Sequence, residues 1–126
     1  MKICIIILAY NTLSKLGKNF IHKVIESILS QSYKAFNVIV VDNGSTDDTH
    51  LIFERELKST ELVGSVIHLK KNYGWSGGNN RAAVLCRDSD YIFFLNDDII
   101  LIDRNVLKNL VDFMEKHKDI GAVQPV

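Results

Sequence analysis

The 126-residue chain contains a single proline and only seven glycines, which argues against a disordered or low-complexity polypeptide. It carries no net charge, fifteen basic side chains cancelling fifteen acidic ones, so the electrostatic footprint of a nucleic-acid-binding surface is missing and no nucleic-acid partner is expected. Long hydrophobic runs are absent as well. Met1-Lys2 leads into ICIIILA, which is too short to span a bilayer and lacks a small-residue cleavage site, and Tyr10, Asn11 and the lysines beyond interrupt it. The only cysteines, Cys4 and Cys86, lie in apolar periodic segments without metal-type spacing. They read as buried free thiols, in keeping with a reducing cytosol. No G-x-G-x-x-G follows the first apolar run and no G-x-x-x-x-G-K-[ST] occurs, which disfavours a dinucleotide Rossmann site and a P-loop.

What is present is an ordinary globular composition, 47% apolar and 24% charged, in a chain sized for one core, residues 1–126. Apolar runs of strand length alternate with helical stripes. Ile3–Ala9 is a continuous buried-type strand, and Phe20, Ile21, Val24, Ile25, Ile28 and Leu29 make one helical face within about Gly17–Ser30. Val38–Val41 is a second strand. Ser45 with Asp48 forms a capping-box pattern ahead of a helix running to about Leu57. Ser65–Leu69 is a third strand, and a helix starting at Ser76 or Gly77 follows the loop KKNYGWSGGNN. Tyr91–Leu95 reads as a central strand covered on both faces. Asp103 caps a last helix with the stripe Val106, Leu107, Leu110, Val111 and Met114, and Ile120–Val126 begins a fifth strand. This order predicts a three-layer α/β/α domain with a mostly parallel sheet and right-handed crossovers. A half-finished last strand implies a domain cut from something longer, and its exposed edge is a place where two copies can pair.

Ligands of such sheets sit outside the carboxyl ends of the strands. Four groups converge there: Tyr10-Asn11, Asp42-Asn43, the Asn72–Asn80 loop and Asn96-Asp97-Asp98. Adjacent carboxylates at a strand end suit a divalent cation beside a phosphorylated ligand, although Asp97 and Asp98 also read as turn formers or caps. Asp42 can accept from a nucleobase N–H or a ribose hydroxyl, or simply shape the turn at Asn43-Gly44. Tyr10 can stack on a base or pack. The glycines after Asn72 let backbone approach phosphate or sugar oxygens, while the plainer reading is a Gly-rich turn with Trp75 in the core. Arg81 and Arg87 read as solvated, Arg81 within reach of an anion. His22, His50, His68 and His117 show no paired carboxylate or metal spacing and receive no role.

Four stretches together, IIILAYN (Ile5–Asn11), VIVVDNGSTDDT (Val38–Thr49), NYGWSGGNN (Asn72–Asn80) and FLNDDI (Phe94–Ile99), resemble family 2 glycosyltransferases of the GT-A nucleotide-sugar-binding fold, in the rhamnosyltransferase-like branch. The resemblance implies the N-terminal, donor-binding half of an inverting, metal-dependent enzyme that moves a sugar from a UDP- or dTDP-linked donor to a glycan or lipid-linked acceptor hydroxyl in cell-surface polysaccharide synthesis. The setting it implies is the cytoplasm, extending to the inner face of the membrane. Tyr10 and Asn11 would meet the nucleotide, with Asp42 hydrogen-bonding the base and Asn72 lining the donor site. Asp97 would lie near the ribose and diphosphate, and Gly77, Gly78 and Asn79 beside the donor sugar and diphosphate. Asp98 would ligate Mg²⁺ or Mn²⁺, which acts as a Lewis acid on the leaving nucleotide. Two departures stand out: Asn96 replaces the first acid of the family's triplet, and Leu8-Ala9 replaces a frequent Pro-Thr. No residue is nominated as general base. The competing readings are a non-catalytic nucleotide-sugar-binding fragment or interaction module, and a signalling receiver. The receiver is disfavoured because the third strand ends in Leu69-Lys70 rather than a phosphoacceptor Asp.

Overall fold

The computed structural model describes residues 1–125. Four strands, β1 (Ile3–Ala9), β2 (Phe36–Asp42), β3 (Gly64–His68) and β4 (Tyr91–Asn96), form one sheet in the order β3-β2-β1-β4. Every neighbouring pair is parallel, and the register aligns Ala9 with Asp42, Asp42 with His68, and Leu8 with Asn96. All four carboxyl ends therefore meet at one edge, as the alternation of runs and stripes requires. The helices are α1 (Thr12–Leu16), α2 (Lys18–Leu29), α3 (Thr49–Lys58), α4 (Gly74–Ala83) and α5 (Val106–Lys116).

The two-residue period of a strand splits the β1 and β2 runs between two cores. Ile3, Ile5, Ile7, Val38 and Val40 face α2, α3 and α5, packing on Ile21, Ile25, Ile28, Phe53 and Leu107. Cys4, Ile6, Ile39 and Val41 face α4 through Ala82 and Cys86. The three-layer α/β/α arrangement is thus the one expected, and the unbroken apolar runs Ile3–Ala9 in β1 and Val38–Val41 in β2 are explained by cover on both sides.

Several local expectations are corrected. The helix expected within about Gly17–Ser30 forms as α2, but a further short helix, α1, precedes it, the two broken at Gly17, whose φ of 90° lies outside helical space. The Ser45–Asp48 capping box does not form. Ser45 Oγ accepts instead from Asn11 N–H at 2.8 Å, and the first N–H of α3, at Thr49, is taken by Asp47. Helix α4 begins at Gly74, ahead of the expected start at Ser76 or Gly77. The orphan amide of Leu107 in the first turn of α5 is satisfied by Gln31 Oε1 at 3.1 Å, a fully buried side chain from the end of α2, while Asp103 accepts from Asn105 N–H.

Three larger expectations also fail. Strand β4 is an edge strand among the described residues. Leu95 is buried, but Ile92 and Phe94 on the opposite face are 40% and 45% exposed, because α4 lies over β1 and β2 and stops short of β4. No strand forms over residues 120–125, and the end of the expected fifth strand, Val126, lies outside the described residues. Finally, Cys4 and Cys86 are joined as a disulfide rather than free. The short 3₁₀ turn after α4 (Val84–Cys86) delivers Cys86 onto Cys4 of β1 with Cα atoms 5.7 Å apart, within the span a disulfide bridges. The thiol-based argument for a reducing compartment falls with it. Among the described residues no helix is long and apolar enough to cross a membrane.

Candidate functional site

The chain leaves β1 through Tyr10 and then Asn11, whose φ of 49° is the only left-handed backbone at a non-glycine among the described residues. Asn tolerates this conformation best, and the strain is held by two contacts. Asn11 N–H donates to Ser45 Oγ, and Asn11 Oδ1 accepts from Thr46 N–H at 2.8 Å. The loops after β1 and β2 are therefore one unit. Asp47 reinforces it by accepting from Ser14 and Thr49. Burial pushes the Asp47 carboxyl up, but these hydrogen bonds outweigh it and hold the group below its usual range.

The loop after β3 is fastened to β2 by Asn43. Its Oδ1 accepts from Tyr73 N–H at 3.0 Å, and its Nδ2 donates to Asn72 Oδ1 at 3.1 Å and to the Gly74 carbonyl at 3.0 Å. Asn72 Oδ1 also accepts from Gly74 N–H at 2.7 Å. Asn72 is thus spent on ordering the turn that starts α4. Gly78 of that helix is buried against Leu8 and Asn43, where a Cβ would fall 2.6 Å and 3.0 Å from their side chains. Gly78 lets α4 approach the sheet, and only its backbone is available to a ligand. Asn79 is buried; its Nδ2 donates to the Trp75 carbonyl while its Oδ1 has no partner. Gly77 lies over Tyr73.

The acids after β4 divide in role. Asp97 points back to β1, where its Oδ2 accepts from Thr12 Oγ1 at 2.5 Å and from Tyr10 N–H at 3.3 Å, with Lys15 Nζ 4.0 Å away. Asp98 is exposed and forms no hydrogen bond or ion pair among the described residues. The adjacent carboxylates thus face different surroundings, and only Asp98 has both oxygens free. A lone exposed carboxylate at this edge fits a hard cation such as Mg²⁺ or Mn²⁺, which takes one or two protein oxygens and completes its shell with water and phosphate. Asp42 is fully buried. Its Oδ1 accepts from Ser45 N–H at 2.9 Å, the expected turn contact, but its Oδ2 has no hydrogen-bond partner.

Tyr10, Asn11, Asp42, Asn72, Gly77, Gly78, Asn79, Asp97 and Asp98 all lie in the segments at the carboxyl edge. The exposed ones form an open shelf, with Asp42, Gly78 and Asn79 buried behind it. The large apolar groove, about 670 Å³, lies beside it along the outer edge of β4 and is lined by Phe94, Leu107 and Met114 among others. Trp75 is not in the core: it is 56% exposed, and its Nε1 donates to Asn96 Oδ1 at 3.2 Å. Arg81 does not simply point into solvent; its guanidinium stacks on Tyr73 at 3.5 Å and donates to the Gly77 carbonyl. Four side chains escaped the sequence reading. Lys15 brings a positive charge to the shelf. His50 and His68, given no role, stand next to Asp42, their Nδ1 and Nε2 atoms 3.5 and 3.8 Å from its Oδ2. His22, also given no carboxylate, pairs with Glu56 at 2.8 Å. The signal for these pairs is strand register and helix packing, neither of which is a spacing in the chain.

Comparison with known proteins agrees with this fold. The sequence model of the family described as Glycosyl transferase family 2 matches residues 4–126. The chain is similar to the Escherichia coli UDP-Glc:alpha-D-GlcNAc-diphosphoundecaprenol beta-1,3-glucosyltransferase WfaP, with 36% identity over 92% of this chain and 42% of that protein. It is similar to the Salmonella typhimurium O-antigen chain rhamnosyltransferase RfbN, also 36% identical, over 88% of this chain and 32% of that protein. Among solved structures, Staphylococcus aureus TarS 1–349 in complex with UDP-GlcNAc superposes with a TM-score of 0.74 at 25% identity, covering 98% of this chain and 37% of TarS. The chain spans less than half the length of each.

Proposed function

Because the chain belongs to glycosyl transferase family 2, we propose that it supplies the donor-binding part of an inverting, divalent-metal-dependent glycosyltransferase. The observation that carries the reading is the division of labour between Asp97 and Asp98: one is locked onto the loop after β1 and the start of α1, and the other is left free at the edge where β1, β2 and β4 converge. The relatives named above use a UDP-linked sugar or assemble O-antigen chains, which supports a UDP- or dTDP-linked donor and a glycan or lipid-linked acceptor in cell-surface polysaccharide synthesis.

In this reading the exposed ring of Tyr10 stacks on the base and the partnerless Oδ2 of Asp42 accepts its N–H. Asn11 and Asn72 shape the loops against the nucleotide. Asp97 faces the ribose and diphosphate, and the backbone of Gly77 and Gly78 with Asn79 Oδ1 borders the donor sugar. Asp98 would hold Mg²⁺ or Mn²⁺; when bound, such an ion neutralises charge developing on the leaving nucleoside diphosphate. Lys15 adds a cation on the same side. The acceptor oxygen bonds to the anomeric carbon as the bond to the diphosphate oxygen breaks, with inversion, and no residue of this chain is assigned to take the acceptor's proton. The chain would act as the N-terminal part of a longer enzyme at the cytoplasmic face, where nucleotide sugars are available. Pairing of two copies along the β4 edge completes the proposal, and size-exclusion chromatography reads it directly.

The test is calorimetric titration with UDP and dTDP, with and without Mn²⁺, on the wild type and Asp98→Ala. Binding that needs the metal and disappears in the variant is the expected result. Binding indifferent to both, or none at all, would overturn the assignment of Asp98.

A further inference from the structure

Asp97 and Asp98 are adjacent in the chain and equal in chemistry, yet a side chain from another element sets them apart. Thr12, the first residue of α1, is fully buried, and its Oγ1 donates to Asp97 Oδ2 at 2.5 Å. A hydroxyl–carboxylate contact of this length is charge-assisted and belongs to the stronger hydrogen bonds. Tyr10 N–H donates to the same oxygen at 3.3 Å, and Lys15 Nζ stands 4.0 Å from it. The Asp97 side chain is only 13% exposed, so a cation carrying its own water has little access to the remaining oxygen. Asp98, one residue on, is exposed. A hard cation of the Mg²⁺ type held by one carboxylate takes its other ligands from water and phosphate. A second carboxylate would add charge and a ligand whether or not phosphate is present.

We infer that Thr12 is a positioning residue of the donor site. By holding Asp97 against the loop after β1, its hydroxyl confines the cation to one carboxylate and so makes ion binding depend on the nucleoside diphosphate. The inference rests on the reading of Asp98 as the metal ligand. Ion and nucleotide then bind as a pair, each raising the affinity of the other by the same factor. Without the hydroxyl, a mostly buried Asp97 oxygen loses its strongest donor. Turning outward to water and to the cation at Asp98 relieves that cost.

The test titrates the full chain with Mn²⁺, without nucleotide and then with UDP, and follows loss of the free-ion electron paramagnetic resonance signal. Thr12→Val keeps the size of the side chain and removes its hydroxyl. Without UDP it should bind Mn²⁺ about fivefold or more tightly than the wild type, and the gain that UDP confers should shrink. Thr12→Ser should restore the wild-type behaviour, which a packing role for the methyl group would not allow. In an Asp97→Asn background Thr12→Val should change nothing. Circular dichroism verifies folding, and Thr12→Ala, which also lacks the hydroxyl, takes the place of a valine variant that does not fold. Asp98→Ala separates the two ways of failing. No uptake even with UDP, or uptake that survives Asp98→Ala, overturns the reading of Asp98 and this inference with it. Uptake that needs Asp98 but is not strengthened by Thr12→Val, or is strengthened equally when Asp97 is Asn, overturns the role of Thr12 alone.

Discussion

Gly44 holds the candidate site together at one atom's width. It adopts a φ of +79°, and a Cβ there would stand 2.3 Å from the Lys71 carbonyl carbon and 2.6 Å from Asn72 N and Lys71 Cα. All three are backbone atoms of the loop that Asn43 fastens to β2, so they cannot rotate away. Gly74 and Gly17 have nearly the same torsion, +78° and +90°, with nothing within 4 Å of a Cβ. Alanine at Gly74 or Gly17 therefore carries only the left-handed backbone penalty, about 1–2 kcal/mol, partly offset by a less flexible unfolded chain. Alanine at Gly44 adds the overlap, about 1–3 kcal/mol for an overpacked site and toward the top of that range against backbone. Gly44→Ala should then cost about 2–5 kcal/mol, and the excess over the two controls isolates the close approach. Urea unfolding at a slope of about 1–3 kcal/mol/M should show the Gly44→Ala midpoint about 1 M below the controls. Equal midpoints for all three variants would refute the claim that β2 and the loop after β3 are in contact there, and with it the coupling of Asp42 to α4.

Two further outcomes are expected. The unreduced chain should show no reactive thiol in denaturant and two after reduction. Opening a link between residues 82 apart should cost about 4–5 kcal/mol by loop entropy, lowering Tm by about 10 °C or more; two thiols in the unreduced chain would refute the pairing. His22 is raised above its ordinary value by its hydrogen bond to, and the charge of, Glu56. A raised histidine stabilises the fold fully below its unfolded value, near 6.5, and the contribution is lost as pH rises through the folded value. The Tm advantage of the wild type over His22→Asn should therefore be largest at pH 5 and shrink toward pH 8, and a pH-independent difference would contradict the pairing.

The four strands, helices α2 to α5 and the edge at which the site lies were determined by the sequence alone, because they follow from periodicities that each segment carries within itself. Ile3–Ala9 and Val38–Val41 are apolar at every position and can only be strands covered on two faces; the stripe from Phe20 to Leu29 can only be one side of a helix. Tyr10 and Asp42 follow because each immediately succeeds such a run, and Asn72 and Asp98 because each lies three residues beyond one. Tertiary structure alone decided what depends on the neighbour. Tyr91–Leu95 is as apolar as a central strand, but burial requires a covering layer, and α4 does not reach it. Cys4 and Cys86 are 82 residues apart, and only the packing of α4 on β1 brings them within bonding distance. Asp97 turned to Thr12 and Asp98 to solvent, though the two share a chemistry and a position. His50 and His68 became partners of Asp42 through strand register and one helical turn, contacts that cost loop-closure entropy and leave no local mark in the chain.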